Sequence, residues 1–198
     1  MAEAKKKFSI DDIEERSIIV PNPEMKGNFA HCVDITFGKI GNEKEEGEED
    51  NRQLGITFKF IEEETGAVLN YVCFEPKLED EDDKDKVRLY TNNWSRIKQM
   101  FGSYIKDAEG KLGLDDLSFE EVYKKYMSVI DPQYSKVRTK LKVVYNKKNN
   151  VTLGLIGNVI STQYRKRAFE WNPKYDFVIM KGKAADDFGG DAGDDDDL

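Results

Sequence analysis

The apolar residues of this chain change period twice, and that change constrains its fold more than any other feature. Residues 28–40 alternate, placing Phe29, His31, Val33, Ile35 and Phe37 on one face. Leu54, Ile56, Phe58 and Phe60 alternate in the same way, as does 67–75 until Pro76 stops it. The short EEETG stretch at 62–66 ends in a glycine and reads as a hairpin turn between these runs. From 93 to 106 the period becomes helical, through Trp94, Ile97, Met100, Phe101, Tyr104 and Ile105, with Asn92 or Asn93 as N-cap. A second helix is predicted from the capping box Ser118-Phe119-Glu120-Glu121 to about Val129, before Asp131-Pro132 breaks it.

Strand periodicity returns at 136–145. Val137, Leu141 and Val143 are expected to point one way, and Arg138, Lys140 and Lys142 the other. The turn NKKNN leads into a further strand at 151–160, whose Gly154 and Gly157 suggest a bulge or sharp bend. Two shorter segments follow at 168–171 and 177–180, and there is no internal repeat. Three strands, a helical segment and at least two more strands predict a mainly β protein with a helical insertion. The expected form is an OB-fold-like five-stranded Greek-key barrel, with the helices between strands three and four. Other α+β sheets share this order. The expected organisation is an N-terminal arm (1–27), an OB-like nucleic-acid-binding domain (28–183) and a disordered acidic tail (184–198).

The tail sets the overall charge. Between 186 and 198 there are seven aspartates and no lysine or arginine, in a chain of formal net charge −8. With Phe188, Ala192 and Leu198 as its apolar content, this segment cannot bury enough surface to offset the entropy of ordering. By contrast, 130–183 holds twelve Lys and Arg against Asp131, Glu170 and Asp176, a net of +9. The opposing acids lie in the tail and in two runs, 43–50 and 79–85. A pI of about 4.9 therefore hides a basic segment, and the local field matters more to partners than the sum.

At 198 residues with a mean hydropathy of −0.70, the chain suits one soluble domain, and no apolar run approaches a membrane span. The first fifteen residues lack the apolar core of a signal peptide, and Cys32 and Cys73 are widely spaced, as buried free thiols would be. A reducing cytoplasm is the expected location. One histidine, His31, leaves little room for Ser-His or Cys-His catalysis, and it is expected on the apolar face of the first strand. There is no phosphate loop, zinc-ligand spacing or implied cofactor. One enzyme reading stays open: Asp34 with Glu75-Pro76-Lys77 imitates a carboxylate-lysine Mg²⁺ nuclease site.

The competing chemistry is binding. Arg138, Lys140 and Lys142 line one strand face, Tyr145, Lys147 and Lys148 sit at the following turn, and Tyr164, Arg165, Lys166, Arg167, Phe169 and Trp171 interleave cations with rings. Single-stranded nucleic acid uses this combination, cations tracking phosphates and flat rings receiving unstacked bases. In OB-folds the loop between strands four and five is a usual contact, and here it is NKKNN.

In layout the chain resembles bacteriophage single-stranded DNA-binding proteins: an OB-like body, a basic and aromatic C-terminal half, and a glycine-aspartate tail. The resemblance is specific in the tail, Asp186, Asp187, Phe188, Asp191, Asp194, Asp195, Asp196, Asp197 and Leu198. It implies sequence-tolerant coating of single-stranded DNA in replication, recombination and repair. It also implies a tail that recruits partners such as polymerase or helicase and competes with DNA. One departure is the last residue, since such tails commonly end in an aromatic. A protein-interaction adaptor without nucleic acid is a further alternative. Assembly into a homo-oligomer is compatible with this reading.

Overall fold

The computed structural model describes residues 18–41, 52–106, 112–155 and 157–180. The Lys5–Lys7 cluster, the acidic run 43–50, Lys181, Lys183 and the whole acidic tail lie outside the described residues. Strands β1 (Asn28–Ile40), β2 (Gln53–Glu62) and β3 (Val68–Phe74) form an antiparallel meander. Helices α1 (Lys84–Gly102) and α2 (Phe119–Val129) follow, then β4 (Arg138–Leu141), β5 (Val143–Tyr145), β6 (Val151–Leu153) and β7 (Ile160–Thr162). The protein is mainly β. Its principal sheet is antiparallel with the order β3-β2-β1-β4-β7, and β5-β6 forms a separate two-stranded ribbon. The ladder of described strands is open, with β3 and β7 at its edges.

One face of the sheet is buried under the two helices. Ala30, Cys32, Ile35, Ile56, Phe58, Phe60 and Leu69 meet Ile97, Met100 and Phe101 of α1 and Phe119, Val122 and Tyr126 of α2. Aromatic contacts join the layers: Phe101 stacks on Tyr126 at 4.4 Å and meets Phe58 edge-on at 5.1 Å. Each fully buried ring contributes about 1.5–3 kcal/mol of transfer free energy. Ile18 bridges to Val68 and Ile19 is fully buried, so the end of the expected arm belongs to the core.

Strand β1 departs from simple alternation. Its register to β2 runs Cys32↔Phe60 and then Asp34↔Lys59, leaving Val33 as an extra residue. This β-bulge inverts the side-chain phase. Ala30 and Cys32 point inward before it, and Ile35 follows suit after it. The expectation that Phe29, His31 and Ile35 share one face is therefore corrected: Phe29 is exposed and His31 is only partly covered.

Helix α1 begins nine residues before the predicted start. Asp83, within the acidic run, accepts from the Asp85 and Lys86 amides and caps the helix. Val87 and Tyr90 carry the Trp94–Ile97 stripe back through these first turns at helical spacing, and Tyr90 meets Trp94 edge-on at 6.4 Å, while a carboxylate cap suits the positive end of a helix. At α2 the capping box is formed, with Ser118 and Glu121 bonding each other's backbone amides. No helix among the described residues is long and apolar enough to cross a membrane.

Two strand predictions are corrected in the second half. The run 136–145 divides at Lys142 into β4 and β5, and 151–160 divides into β6 and the start of β7, leaving Gly154 and Gly157 between strands. Lys142 is the cause of the first division. Its amide donates to the Val159 carbonyl and its carbonyl accepts from Gly154, so the chain passes from the sheet to the ribbon there. A Cβ at Gly154 would lie 2.8 Å from the Lys142 side chain, so only glycine leaves room for that stem.

The Lys142 ammonium is fully buried. It lies 2.5 Å from the Asp176 carboxylate, also fully buried, and donates to the Glu170 carbonyl. Removing one partner of such a pair strands the other charge in a low-dielectric interior. Asp176→Ala should cost about 3 kcal/mol. Lys142→Met combined with Asp176→Ala should cost clearly less than the sum of the single changes, as read by urea denaturation of all three variants.

Candidate nucleic-acid interface

The outward face of β1 and β4 carries the site. Backbone pairing sets Phe29 opposite Lys140 and His31 opposite Arg138, while the intervening Ala30 and Thr139 point into the core. Thr139 anchors the strand from below through a 2.9 Å hydrogen bond with the buried Tyr104 hydroxyl. Burial raises the pKa of that phenol well above its usual value, so it remains a neutral partner.

Above this anchor, cations and rings alternate. The Arg138 guanidinium lies 3.9 Å from the centre of the Phe29 ring. The Lys140 ammonium lies 5.7 Å from Phe29 and 5.6 Å from Phe169, bridging the two rings. Phe169 comes from the irregular segment after β7. It is seated against Gly27, whose φ of +80° turns the chain into β1. A Cβ there would lie 2.8 Å from both the Phe169 ring and the Leu141 carbonyl oxygen.

Glu63 closes one side of the cluster. Its amide donates to the Phe29 carbonyl, extending the β1–β2 pairing by one residue. Both of its carboxylate oxygens accept from Arg138 Nε at 2.8 Å, and one lies 3.3 Å from His31 Nε2. Phe29, His31 and Glu63 are absent from the sequence-predicted site. The alternation that assigned Phe29 and His31 to the core carried no sign of the bulge. Glu63 belongs to a hairpin turn, and only the register brings it to Arg138.

The structure brings Arg138, Lys140 and Phe169 together. Lys142 does not join their face, being buried on Asp176 with its ammonium 5.3 Å from the half-buried Trp171 ring. The reason is the chain crossing at Lys142, which ends the alternation that would have turned it outward. Tyr145 is also buried, its amide bonded to the Phe177 carbonyl. Lys147 and Lys148 are exposed on the β5–β6 turn, where Asn146 Oδ1 accepts from the Lys148 and Asn150 amides.

Tyr164 is tied to the core side. Its hydroxyl donates to Asp131 at 2.5 Å, and this bond, with the Gln133 amide and Lys106, holds the Asp131 carboxyl below its usual range. Lys166 is exposed, and Arg165 bonds the Tyr164 carbonyl. Arg167 is half-buried. Its desolvation, then the nearby Arg165 charge, lowers its pKa from the ordinary arginine value.

The residues of the nuclease alternative are held apart. Asp34 is level with Lys59 and, through it, with Asn70 of β3. Glu75 lies five positions further along that strand, about 16 Å at 3.3 Å per residue. Among the described residues, no group of three or more His, Cys, Asp or Glu side chains is placed to hold a metal ion. Cys32 and Cys73 are buried free thiols, and burial pushes the Cys73 thiol up to about 12. Comparison with protein-family models, with curated proteins and with solved structures gives no match.

The seating of Phe169 on Gly27 is open to a direct check. Gly27→Ala adds a methyl group at a positive φ and against a carbonyl oxygen, so it should destabilise the protein by more than about 1 kcal/mol. Urea denaturation of the variant beside the wild type measures this.

Proposed function

We propose that this protein binds single-stranded DNA without sequence preference, coating and protecting it during replication, recombination and repair. The observation that carries this reading is the outward cluster in which Phe29, Arg138 and Lys140 of the β1–β4 pair meet Phe169 of the segment after β7, rings and cations alternating. Exposed bases gain about 1–3 kcal/mol each by stacking on such groups, whatever their identity. Lysines beside the rings neutralise phosphates and release counterions. Lys147, Lys148 and Lys166 extend the supply of exposed cations. For the architecture, we propose an OB-type Greek-key arrangement, supported by the approach of the β5–β6 ribbon to edge strand β3.

The acidic segment 186–198 completes the proposal. Seven aspartates tethered to a basic segment compete with phosphates for the same cations, and they offer a docking tail to replication proteins such as polymerase or helicase. Two measurements test these statements. Titration with oligo-dT and with a duplex of equal length should show clear preference for the single strand, because a duplex hides its base faces. Equal affinity for both would remove the stacking mechanism. Deleting 186–198 should tighten oligo-dT binding at low salt, with the two proteins converging as salt rises and screens the tail. An unchanged low-salt affinity would remove the competitor role.

A further inference from the structure

Arg138 differs from the other cations of this face in how much of its guanidinium is already engaged. Its Nε–H is taken by both oxygens of Glu63 at 2.8 Å, and its Cζ lies over the Phe29 ring, 3.9 Å from the ring centre. Glu63 is itself well held. Its side chain is 22% exposed, its backbone amide bonds Phe29, and its carboxylate also faces His31 Nε2 at 3.3 Å. The Arg138 side chain is 61% exposed, so the second plane and the Nη edge remain open.

These occupied surfaces decide what the group can receive. A phosphate is best held by two parallel N–H bonds along one guanidinium edge. Here the Nε–H is taken, and although the Nη edge is free, the Glu63 carboxylate beside it repels a second anion. A nucleobase asks only for the free plane, and guanidinium planes receive unstacked bases much as aromatic rings do. Lys140 is the opposite case: a compact ammonium between two rings, with three donors that can follow a phosphate in any direction.

We propose that Arg138 is a base-stacking platform, supported from beneath by Phe29 and held at its edge by Glu63, while Lys140 is the phosphate contact of this cluster. This assignment rests on the reading of the face as a single-strand site. Glu63 is then a positioning residue. It keeps the guanidinium flat on Phe29, at the expense of one unit of positive charge near the strand.

The discriminating measurement is the ratio of affinities for oligo-dT and for an abasic oligonucleotide of equal length, using the full chain at matched salt. Arg138→Lys keeps the charge and removes the plane. It should lower that ratio about five-fold or more, with abasic binding and the salt slope unchanged. Lys140→Gln should weaken both ligands alike and reduce the salt slope by about 0.7, the single-strand value for one phosphate contact. Glu63→Gln should lower the ratio as Arg138→Lys does, while tightening abasic binding because a negative charge is gone. An unchanged ratio in Arg138→Lys, or an equal loss for both ligands, overturns the platform. Wild-type protein that binds neither oligonucleotide overturns the single-strand reading itself, and the assignment with it.

Discussion

One extra residue in a long strand governs the outer face of this protein. Without the bulge at Val33, a strand of the length of β1 would keep a single phase. Aligning Ile35 with the core would then turn Phe29 and His31 inward as well. The bulge lets the same strand bury Ala30 and Cys32 at one end and Ile35 at the other, while Phe29 stays in the open. The Phe29 ring receives the Arg138 guanidinium, and the neighbouring pairing brings Lys140 and His31 to the same surface. The proposed interface exists because of this phase change, since an alternation carried straight through would place Phe29 beneath the sheet.

The second determinant is a buried charge. Lys142 lies where the chain leaves the principal sheet for the ribbon, and its ammonium is matched by Asp176 and the Glu170 carbonyl. A pair buried to this degree contributes modestly to net stability, because desolvation offsets most of the attraction. Its effect is on placement, since it fastens the irregular segment after β7 to the sheet. That segment carries Phe169 to Lys140 and sets Trp171 over Lys142. The exposed cation-ring cluster and the buried pair are thus positioned by the same stretch of chain.

Much of the scaffold was legible before the structure. Alternation at Ile56, Phe58 and Phe60 marked an inward face that is fully buried, and the Ser118–Glu121 capping box marked the start of α2. These signals are local, because side-chain period and cap chemistry act within a few residues. The start of α1 was missed although Val87 and Tyr90 extend its stripe at helical spacing, because its cap, Asp83, lies inside an acidic run that has no apolar pattern of its own. The site was half legible. Arg138, Lys140 and Phe169 stood out by charge and aromatic content, whereas Lys142 and Tyr145 carried the same marks and are buried. A lysine in an alternating strand reads as solvent-facing unless its partner, here an aspartate 34 positions later, is known to lie beside it.

Local pattern was enough for the three-strand meander followed by two helices, the buried face of β2, and the concentration of cations and rings in 130–183. Periodicity and composition express those properties without long-range contacts. The tertiary structure alone decided which cations reach the surface and which ring each one meets. Those choices depend on strand register, on a one-residue bulge, and on the approach of Glu63 to Arg138 across 75 positions of sequence. Each is a contact between residues far apart in the chain. No local pattern records such a contact, because backbone pairing and core packing set it together.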